Sequence, residues 1–216
     1  SISTYTMAES NLSGKVLPPS RLAHVVLRTR ELRPLVEFYK TFLGAHETAG
    51  NESLSFLTFD DEHHRIAIAA LPSCGDKNRM SAGLDHIAFT FETLDDLMTA
   101  YAQRKAHGIL PVWCVNHGPT TSIYYQDPDG NVLETQVDNF STVEEPTEFM
   151  ASPKFIENPI GVDFDPEDMI RRLKSGEPEE ELKKRPDIGP RGFEEIPLLN
   201  LPLPGREGNG TVKNGA

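Results

Sequence analysis

Residues 84–91 have the sequence LDHIAFTF, in which large apolar and smaller side chains alternate after the histidine. Alternation with a period of two is typical of a β-strand that has one buried face. Residues 22–29, with the sequence LAHVVLRT, lie 62 positions earlier and place a histidine at the matching point of a second predicted strand. Because neighbouring side chains in a strand point to opposite faces, His24 and His86 are expected to point away from the apolar face.

The two strands are the beginning of an internal repeat. Each is followed by apolar residues at helical spacing, over 31–43 and 93–105. At the same offset, Leu32, Leu35 and Tyr39 match Leu94, Leu97 and Tyr101. Turn residues and apolar runs predict further strands at 54–59, 63–70, 111–116, 121–126 and 131–137. The third strand of the first half is hard to place.

The repeat predicts an α+β fold of two βαβββ modules, at about 20–75 and 84–138. One module alone has a sheet face to cover and an edge to close. Two modules side by side are therefore expected to form a curved, cleft-lining mixed sheet with the helices outside. Together they form one domain at 20–140, preceded by a flexible leader at 1–19. Two similar segments that match by coincidence are the alternative.

The remaining residues, 141–216, are predicted to form an acidic, proline-rich arm. Ten of the 17 prolines lie at 138–216, which favours an extension over a second core. Capping residues and the distribution of charge predict short helices near 165–175 and 178–185. We expect the arm to pack across its own domain or a partner subunit, with the last residues, from about 205, disordered.

Charge and cysteine content exclude several classes of protein. The formal net charge is −12, which argues against nucleic-acid binding because phosphate neutralisation requires clustered lysine and arginine. The same lack of clustered basic residues argues against binding to an anionic membrane surface. The sequence has no apolar run of about 18 residues, so no membrane span is expected. The two cysteines, Cys74 and Cys114, form neither a disulfide framework nor a zinc cluster. Without a recognisable signal peptide, the prediction is a cytoplasmic protein.

Three residues are candidate metal ligands. His24 and His86 occupy equivalent strands of the repeat, and Glu134 lies on the last predicted strand with its apolar neighbours on the other face. A carboxylate on an inner sheet face is costly unless it is paired or coordinated. Two imidazoles and one carboxylate are the ligand set of a non-haem Fe(II) site with open positions. The alternative is a pair of partly buried core histidines and a glutamate in an ion pair.

Three motifs resemble the vicinal oxygen chelate superfamily, which includes glyoxalases, fosfomycin-resistance proteins and extradiol ring-cleavage dioxygenases. They are L-x-H at 22–24, L-D-H-I-A-F at 84–89, and Y-Y-Q-D-P-D-G-N-V-L-E at 124–134. The resemblance covers about residues 20–140. It implies that His24, His86 and Glu134 bind a metal, but these motifs alone do not select the reaction.

Other residues favour one branch of this superfamily. In glyoxalase I and the epimerases of this superfamily, the metal has a fourth protein ligand, a Glu or Gln near the end of the first module. Here that strand ends at 65–70 as RIAIAA, which offers no carboxylate. Three protein ligands leave room for a bidentate substrate and O2.

A further set of residues resembles the type I extradiol dioxygenases. The stretch HHRIAI at 63–68 is similar to the H-H-x-L-A-F stretch of that family, in which one histidine of the pair is the acid/base residue. We predict that this residue is His64 and that His63 is solvated. The stretch NHGPT at 116–120 is similar to the family's His-Gly-Pro-Thr segment, and Tyr124 precedes Glu134 by ten residues, as in the family. The resemblance implies that His117 hydrogen-bonds substrate oxygen and that Tyr124 accepts or stabilises a substrate proton. A solvated strand start, a loop histidine and a plain strand aromatic are the alternatives.

The sequence therefore predicts an extradiol dioxygenase that uses Fe(II), or alternatively Mn(II), to open a catechol-like ring with O2. An aromatic vicinal diol is the expected substrate, and a homodimer is the expected assembly. The alternatives are another metal-dependent reaction on the same fold, either a fosfomycin-type transferase or hydrolase or a lyase or isomerase, and a metal-free small-molecule binding protein.

Overall fold

The structure is a computed structural model that describes residues 14–204. Residues 1–13 of the predicted leader, and the tail from 205 that is predicted to be disordered, lie outside the described residues. The first half contains one helix and four strands. In chain order they are β1 (Val25–Thr29), α1 (Leu32–Leu43), β2 (His46–Gly50), β3 (Leu54–Thr58) and β4 (Ile66–Ala70).

The second half repeats this order and is followed by the arm. Its elements are β5 (His86–Thr90), α2 (Leu94–Ala106), β6 (Trp113–Asn116), β7 (Thr120–Gln126) and β8 (Val132–Asp138). The arm contains α3 (Glu144–Met150), α4 (Pro153–Glu157), β9 (Val162–Asp163), α5 (Pro166–Lys174), α6 (Glu179–Leu182) and two 3-10 turns, Phe193–Glu195 and Pro197–Asn200.

The strands form two mixed sheets, with the orders β1-β4-β3-β2 and β5-β8-β7-β6-β9. In each sheet the first strand of the module pairs in parallel with the last, and the remaining ladders are antiparallel. The α+β class with two βαβββ modules and short C-terminal helices is confirmed. Strand β1 begins one residue after His24, later than the predicted strand at 22–29, whereas β5 begins at His86; both are edge strands of their sheets.

The strand that the sequence analysis leaves unplaced is β2, the second strand of the first module rather than the third. Its sequence, HETAG, has no apolar alternation, and four of its five residues are exposed. Its ladder with β3 shifts register between Glu47 and Ala49. An edge strand that buries little side-chain surface lacks the periodic signal from which strands are predicted.

One hydrophobic core joins the two modules. The Phe42 ring of α1 lies 5.1 Å from the Tyr125 ring and 6.4 Å from the Phe89 ring, both in the second sheet. Leu57 and Ile66 of the first sheet belong to the same core. The core therefore covers one face of each sheet, and the opposite faces, where the histidines point, lie away from it.

A buried hydrogen bond also connects the modules. The Tyr39 hydroxyl of α1 donates to Asp127 Oδ2 at 3.0 Å, in the turn between β7 and β8. Asp127 is fully buried and also accepts from the side chain of Asn131 at 2.7 Å. Burial raises the pKa of the Asp127 carboxyl despite these hydrogen bonds. Each hydrogen-bond donor to this carboxyl group therefore offsets part of the free-energy cost of removing it from water.

We expect Tyr39→Phe to lower the free energy of unfolding by about 1.5–3 kcal/mol, because the buried Asp127 carboxyl loses a donor. Tyr101→Phe is the matched control: that hydroxyl donates to Glu167, whose side chain is half exposed and hydrated. Its loss should cost less than about 1 kcal/mol. Urea unfolding of both variants measures the difference. Equal losses of unfolding free energy would show that the buried Tyr39 hydrogen bond stabilises the fold no more than the exposed one.

The arm packs against the second module of its own chain. Strand β9 extends the second sheet by pairing Asp163 with Val115 of β6. Met169 of α5 and Leu182 of α6 are buried in the core that the two modules share. Helices α5 and α6 lie where the capping pattern predicts helices, whereas α3, α4 and β9 carry no signal recognised in the sequence. Among residues 14–204, no helix has the length and apolarity needed to cross a membrane.

Candidate metal centre and active site

Four residues in register form a row across the second sheet, on the face away from the core. Ala88 of β5 lies opposite Glu134 of β8, Glu134 opposite Tyr124 of β7, and Tyr124 opposite Trp113 of β6. His86 lies two residues before Ala88 and so shares this face. We call His86, Glu134, Tyr124, Trp113 and the neighbouring His117 the second histidine face.

His86 lies between two carboxylates. Its Nε2 is 3.0 Å from Glu134 Oε2, and its Nδ1 is 2.6 Å from Asp85 Oδ2. The hydrogen bond with Glu134 and then that with Asp85 raise the pKa of His86 to about 9 against the opposing effect of burial. A carboxylate on Nδ1 fixes the ring orientation and directs Nε2 to Glu134, as the outer partner of a metal-binding histidine does.

Glu134 is a buried carboxylate on the inner face of a strand, 5% exposed. Burial acts to raise its pKa, but hydrogen bonds from His86 and Ser122 outweigh it, so the carboxyl pKa is lowered and the group stays ionised. A buried anion beside an imidazole is the kind of donor pair that binds a divalent transition metal. His86 and Glu134 are therefore chemically suited to be two of the three predicted metal ligands.

His117 and Tyr124 meet beside this pair. The Tyr124 hydroxyl lies 2.9 Å from His117 Nε2, and the Tyr124 ring contacts the His86 ring at 5.5 Å. Trp113 stacks on Tyr124 with ring centroids 5.1 Å apart. Burial and then the charge of Glu134 raise the pKa of the Tyr124 hydroxyl, so it remains protonated. Burial lowers the pKa of His117, which favours the neutral imidazole.

The arm sets the orientation of His117, which the sequence does not indicate. His117 Nδ1 lies 2.5 Å from the carbonyl oxygen of Ile160, so this nitrogen carries the proton and Nε2 faces Tyr124 as an acceptor. The Arg185 guanidinium donates to the carbonyl oxygens of His117 and Asn158, at 3.1 and 2.7 Å. Asn158 Oδ1 accepts from the Gly161 amide at 2.7 Å.

Gly161 is required by this contact between the arm and β6. Its φ is +110°, and a Cβ atom there would lie 2.2 Å from the carbonyl oxygen of Asn116. A side chain would therefore push the 158–161 segment away from His117. The signal available in sequence is the stretch NPIG at 158–161, whose turn residues mark a fixed loop without showing what it contacts.

The first sheet carries a separate pair of histidines. The His24 and His64 rings lie 4.4 Å apart, and Phe56 of β3 packs against His64 at 5.1 Å. Phe56 and Val26 both lie opposite Ala67 of β4, so they share one sheet face, as does His24, two residues before Val26. We call His24, Val26, Phe56 and His64 the first histidine face.

The two members of the 63–64 pair differ in their surroundings. The His63 side chain is 73% exposed, as expected of a solvated residue, whereas His64 is half-buried. Burial, followed by the neighbouring His24 and His63, lowers the pKa of His64. His64 is therefore a neutral imidazole near pH 7, capable of accepting a proton.

The structure thus brings together four of the six predicted site residues and separates the other two. His86, Glu134, His117 and Tyr124 lie on the second histidine face, and His24 and His64 lie on the first. Within residues 14–204, no three His, Cys, Asp or Glu side chains are arranged to hold a metal ion. Convergence of His24 with His86 and Glu134 therefore stays a prediction.

The chain resembles proteins of known family and activity. Residues 21–135 match the family Glyoxalase, described as the Glyoxalase/Bleomycin resistance protein/Dioxygenase superfamily. Biphenyl-2,3-diol 1,2-dioxygenase 2 of Rhodococcus globerulus is 45% identical over 159 residues, which cover 73% of this chain and 84% of the relative. Biphenyl-2,3-diol 1,2-dioxygenase 3 of the same organism is 46% identical over 167 residues, or 76% and 88% of the two chains.

A glyoxylase/bleomycin resistance protein/dioxygenase domain from Frankia sp. EAN1pec is one of the solved structures to which the chain is similar. It is 20% identical with a TM-score of 0.49, and the alignment covers 56% of this chain and 93% of that chain. The family match extends over both modules and includes His24, just before β1, His86 in β5 and Glu134 in β8. The chain belongs to the Glyoxalase/Bleomycin resistance protein/Dioxygenase superfamily.

Proposed function

We propose that the protein is a non-haem Fe(II) extradiol dioxygenase that opens the ring of an aromatic vicinal diol with O2. The observation that carries the proposal is the cluster of a buried carboxylate, two histidines and a tyrosine, Glu134, His86, His117 and Tyr124. It occurs in a chain that is 45% identical to a biphenyl-2,3-diol 1,2-dioxygenase.

His24, His86 and Glu134 would hold the metal, with Mn(II) as the alternative ion. When bound, the ion would lower the pKa of the diol hydroxyls and offer open positions to both oxygens of the diol and to O2. Support for this ligand set comes from the ionised Glu134 beside His86 Nε2, and from the exposed His24 at the equivalent point of the repeat.

The other residues would hold and move protons. The neutral His117 accepts at Nε2, since its Nδ1 proton is engaged by the Ile160 carbonyl. The Tyr124 hydroxyl stands between this acceptor and the metal-ligand pair, so it can relay or stabilise one proton of the diol. The neutral His64 would serve as acid and base during ring opening.

The surroundings of the second histidine face suit an aromatic ring. Trp113, Tyr124, Val132 and Ile160 form an apolar cluster, joined by Ile196 and Leu198 from the arm. Flat apolar surface beside polar ligands orients an aromatic diol with its hydroxyls toward the charged groups. We therefore propose an aromatic vicinal diol as the substrate, with biphenyl-2,3-diol as the first compound to try. We also propose a homodimer in the cytoplasm, where the free thiols Cys74 and Cys114 would stay reduced.

The test is O2 uptake by protein reconstituted with Fe(II) under anaerobic conditions and supplied with mono-, bi- and polycyclic diols. We expect uptake only with vicinal diols and only after iron loading, together with a coloured ring-opened product. Hydroquinone and resorcinol, whose hydroxyls are not vicinal, are the control compounds. Iron-loaded protein that consumes no O2 with any vicinal diol would contradict the proposal. Protein that retains no metal would favour a metal-free binding protein.

Asn158 provides a prediction about the arm. Asn158→Ala removes the acceptor of the Ile160 and Gly161 amides, so the Ile160 carbonyl that orients His117 is expected to shift. We expect kcat to fall roughly ten- to a hundredfold with unchanged iron content. Asn200→Ala, at an exposed position of the same arm, is the control and should keep full turnover. Full turnover by Asn158→Ala would show that the arm does not position His117.

A further inference from the structure

We infer that Asp163 and Arg191, two residues of the arm, are positioning residues for the proposed reaction and act through the ring of Trp113. The inference rests on the proposed function, since it concerns how Tyr124 and His117 are held in the geometry that moves a proton. It adds a second route from the arm to these groups, besides the Ile160 carbonyl that contacts His117 directly.

Three aromatic rings contact one another on the second histidine face. Trp113 stacks on Tyr124 with ring centroids 5.1 Å apart and planes inclined by 24°. The same indole ring lies 5.5 Å from the His117 ring and almost perpendicular to it. Tyr124 and His117 are themselves 5.9 Å apart, also at nearly right angles. Since close-packed side chains transmit displacement to their neighbours, the position of Trp113 limits how far either proton-carrying ring can turn.

The orientation of Trp113 depends on one hydrogen bond. Its indole nitrogen, Nε1, donates to Asp163 Oδ1 at 2.8 Å, and tryptophan has no other polar side-chain atom. The side chain is 8% exposed and belongs to the apolar cluster that includes Ile160 and Val132. Apolar burial holds a ring without a preferred direction. The bond to Asp163 therefore determines which edge of the indole faces the arm.

Arg191 fixes the carboxylate that accepts this hydrogen bond. Its guanidinium donates to both oxygens of Asp163, from Nη1 to Oδ1 at 2.7 Å and from Nη2 to Oδ2 at 3.1 Å. A bidentate pair of this kind fixes the plane of the carboxylate. Burial acts to raise the pKa of Asp163, but hydrogen bonds from Arg191 and then Trp113 outweigh it, so the pKa is lowered and the group is ionised.

The short strand β9 brings these groups to one place. Asp163 lies opposite Val115 of β6, and Trp113, two residues before Val115, points to the same face. Arg191 lies 28 residues further along the chain, and its Nη1 also donates to the Gly161 carbonyl at 3.2 Å. If the ion pair served only to fasten β9 to the arm, its loss would have the same effect whatever ring stood at position 113.

A double-mutant cycle on kcat tests this route. Asp163→Ala should lower kcat about tenfold at unchanged iron content, with little change in KM because the apolar cluster is kept. Trp113→Phe removes the N–H group but leaves an aromatic ring on Tyr124, and it should lower kcat to a similar extent. The double variant should be no slower than either single variant, since both changes remove the same hydrogen bond. Trp113→Phe also leaves the ion pair intact, so the test stands if Asp163→Ala does not fold.

Two further variants separate the hydrogen bond from a general effect on the arm. Asp163→Asn keeps an oxygen that accepts from the indole and should restore most of the turnover lost in Asp163→Ala. Glu195→Ala removes the other carboxylate beside Arg191, 3.7 Å from its Nε and 52% exposed, and should keep full turnover. Trp113 is the one tryptophan of the chain, so quenching of its fluorescence by acrylamide reports its exposure without turnover. Quenching should rise in Asp163→Ala and match the wild-type protein in Asp163→Asn.

The outcomes distinguish the positioning role from the proposed function. A double variant that is slower than Trp113→Phe by a further tenfold would show that Asp163 acts through the arm as a whole, which contradicts the route through Trp113. Full turnover by Asp163→Ala, or unchanged quenching in that variant, would contradict it as well. Iron-loaded wild-type protein that consumes no O2 with any vicinal diol would overturn the proposed function, and the positioning role with it.

Discussion

Glu134→Gln is expected to abolish both tight iron binding and ring cleavage. Glutamine keeps the size of the side chain but removes the anion that lies 3.0 Å from His86 Nε2. A ligand contributes more than an outer partner, whose loss already costs roughly 10- to 100-fold in metal affinity. We therefore expect a loss of affinity beyond 100-fold and turnover at background. The pKa of His86, raised chiefly by this hydrogen bond, should also fall from about 9 in the metal-free protein.

The control for Glu134→Gln is Asp138→Asn, which removes the same charge from an exposed position of the same strand. Iron content after gel filtration and steady-state O2 uptake are the two measurements. Asp138→Asn should match the wild-type protein in both. If Glu134→Gln retains stoichiometric iron, Glu134 is not a ligand, and the buried pair is structural.

His64→Ala is expected to retain iron but lose turnover. His64 is half-buried and neutral, and it lies against the ring of His24 rather than in the strand core. A positioned general acid or base contributes about 10²- to 10⁴-fold to rate, so kcat should fall by that factor. KM for the diol should change little, because the residue acts on the reacting oxygen atoms and not on the ring.

The adjacent His63 provides the matched control for His64. Its side chain is 73% exposed, and its Nδ1 lies 2.5 Å from His64 Nδ1. His63→Ala removes this neighbour but leaves the proposed acid/base residue in place, so it should keep nearly full turnover. Comparison of kcat for the two variants at equal iron loading separates acid/base catalysis from a general effect of the histidine pair. Full turnover by iron-loaded His64→Ala would contradict the assigned role, and an equal loss in both variants would indicate a structural effect on this segment.

The sequence predicts the local parts of the molecule well, because they are encoded by short-range patterns. Alternation around His86 and helical spacing around Tyr39 reflect the burial of one face, which the structure shows. Strand β2 is missed because an edge strand with exposed, polar residues has no such pattern. Gly44 follows the last residue of α1 and adopts the αL conformation, φ 62°, which a glycine at the end of a helix favours.

The candidate site is predictable only within each module. Glu134, Tyr124 and His86 share a face because strand register and alternation fix it. How the two modules face each other depends on contacts such as Phe42 with Tyr125, which link distant parts of the chain and leave no periodic signal. The expectation that His24 joins the other ligands comes from the repeat and from the resemblance to the superfamily, and not from a pattern within either module.

The role of the arm is also beyond local patterns. Its composition predicts short helices and an acidic surface. It does not predict that the carbonyl oxygen of Ile160 contacts His117. That atom contacts His117 because Asn158, Gly161 and Arg185 fix a loop against the end of β6. Residues far apart in sequence thus determine which nitrogen of a candidate catalytic histidine carries the proton.

The measurement that tests the dioxygenase account most directly is the reaction of the iron-loaded protein with a vicinal diol and ¹⁸O₂. Mass spectrometry of the product, with Glu134→Gln protein as the blank, identifies the origin of the inserted oxygen. The account predicts a ring-opened product that contains both labelled atoms and consumption of one O2 per diol. An unlabelled product, or an oxidised diol with an intact ring, would contradict it.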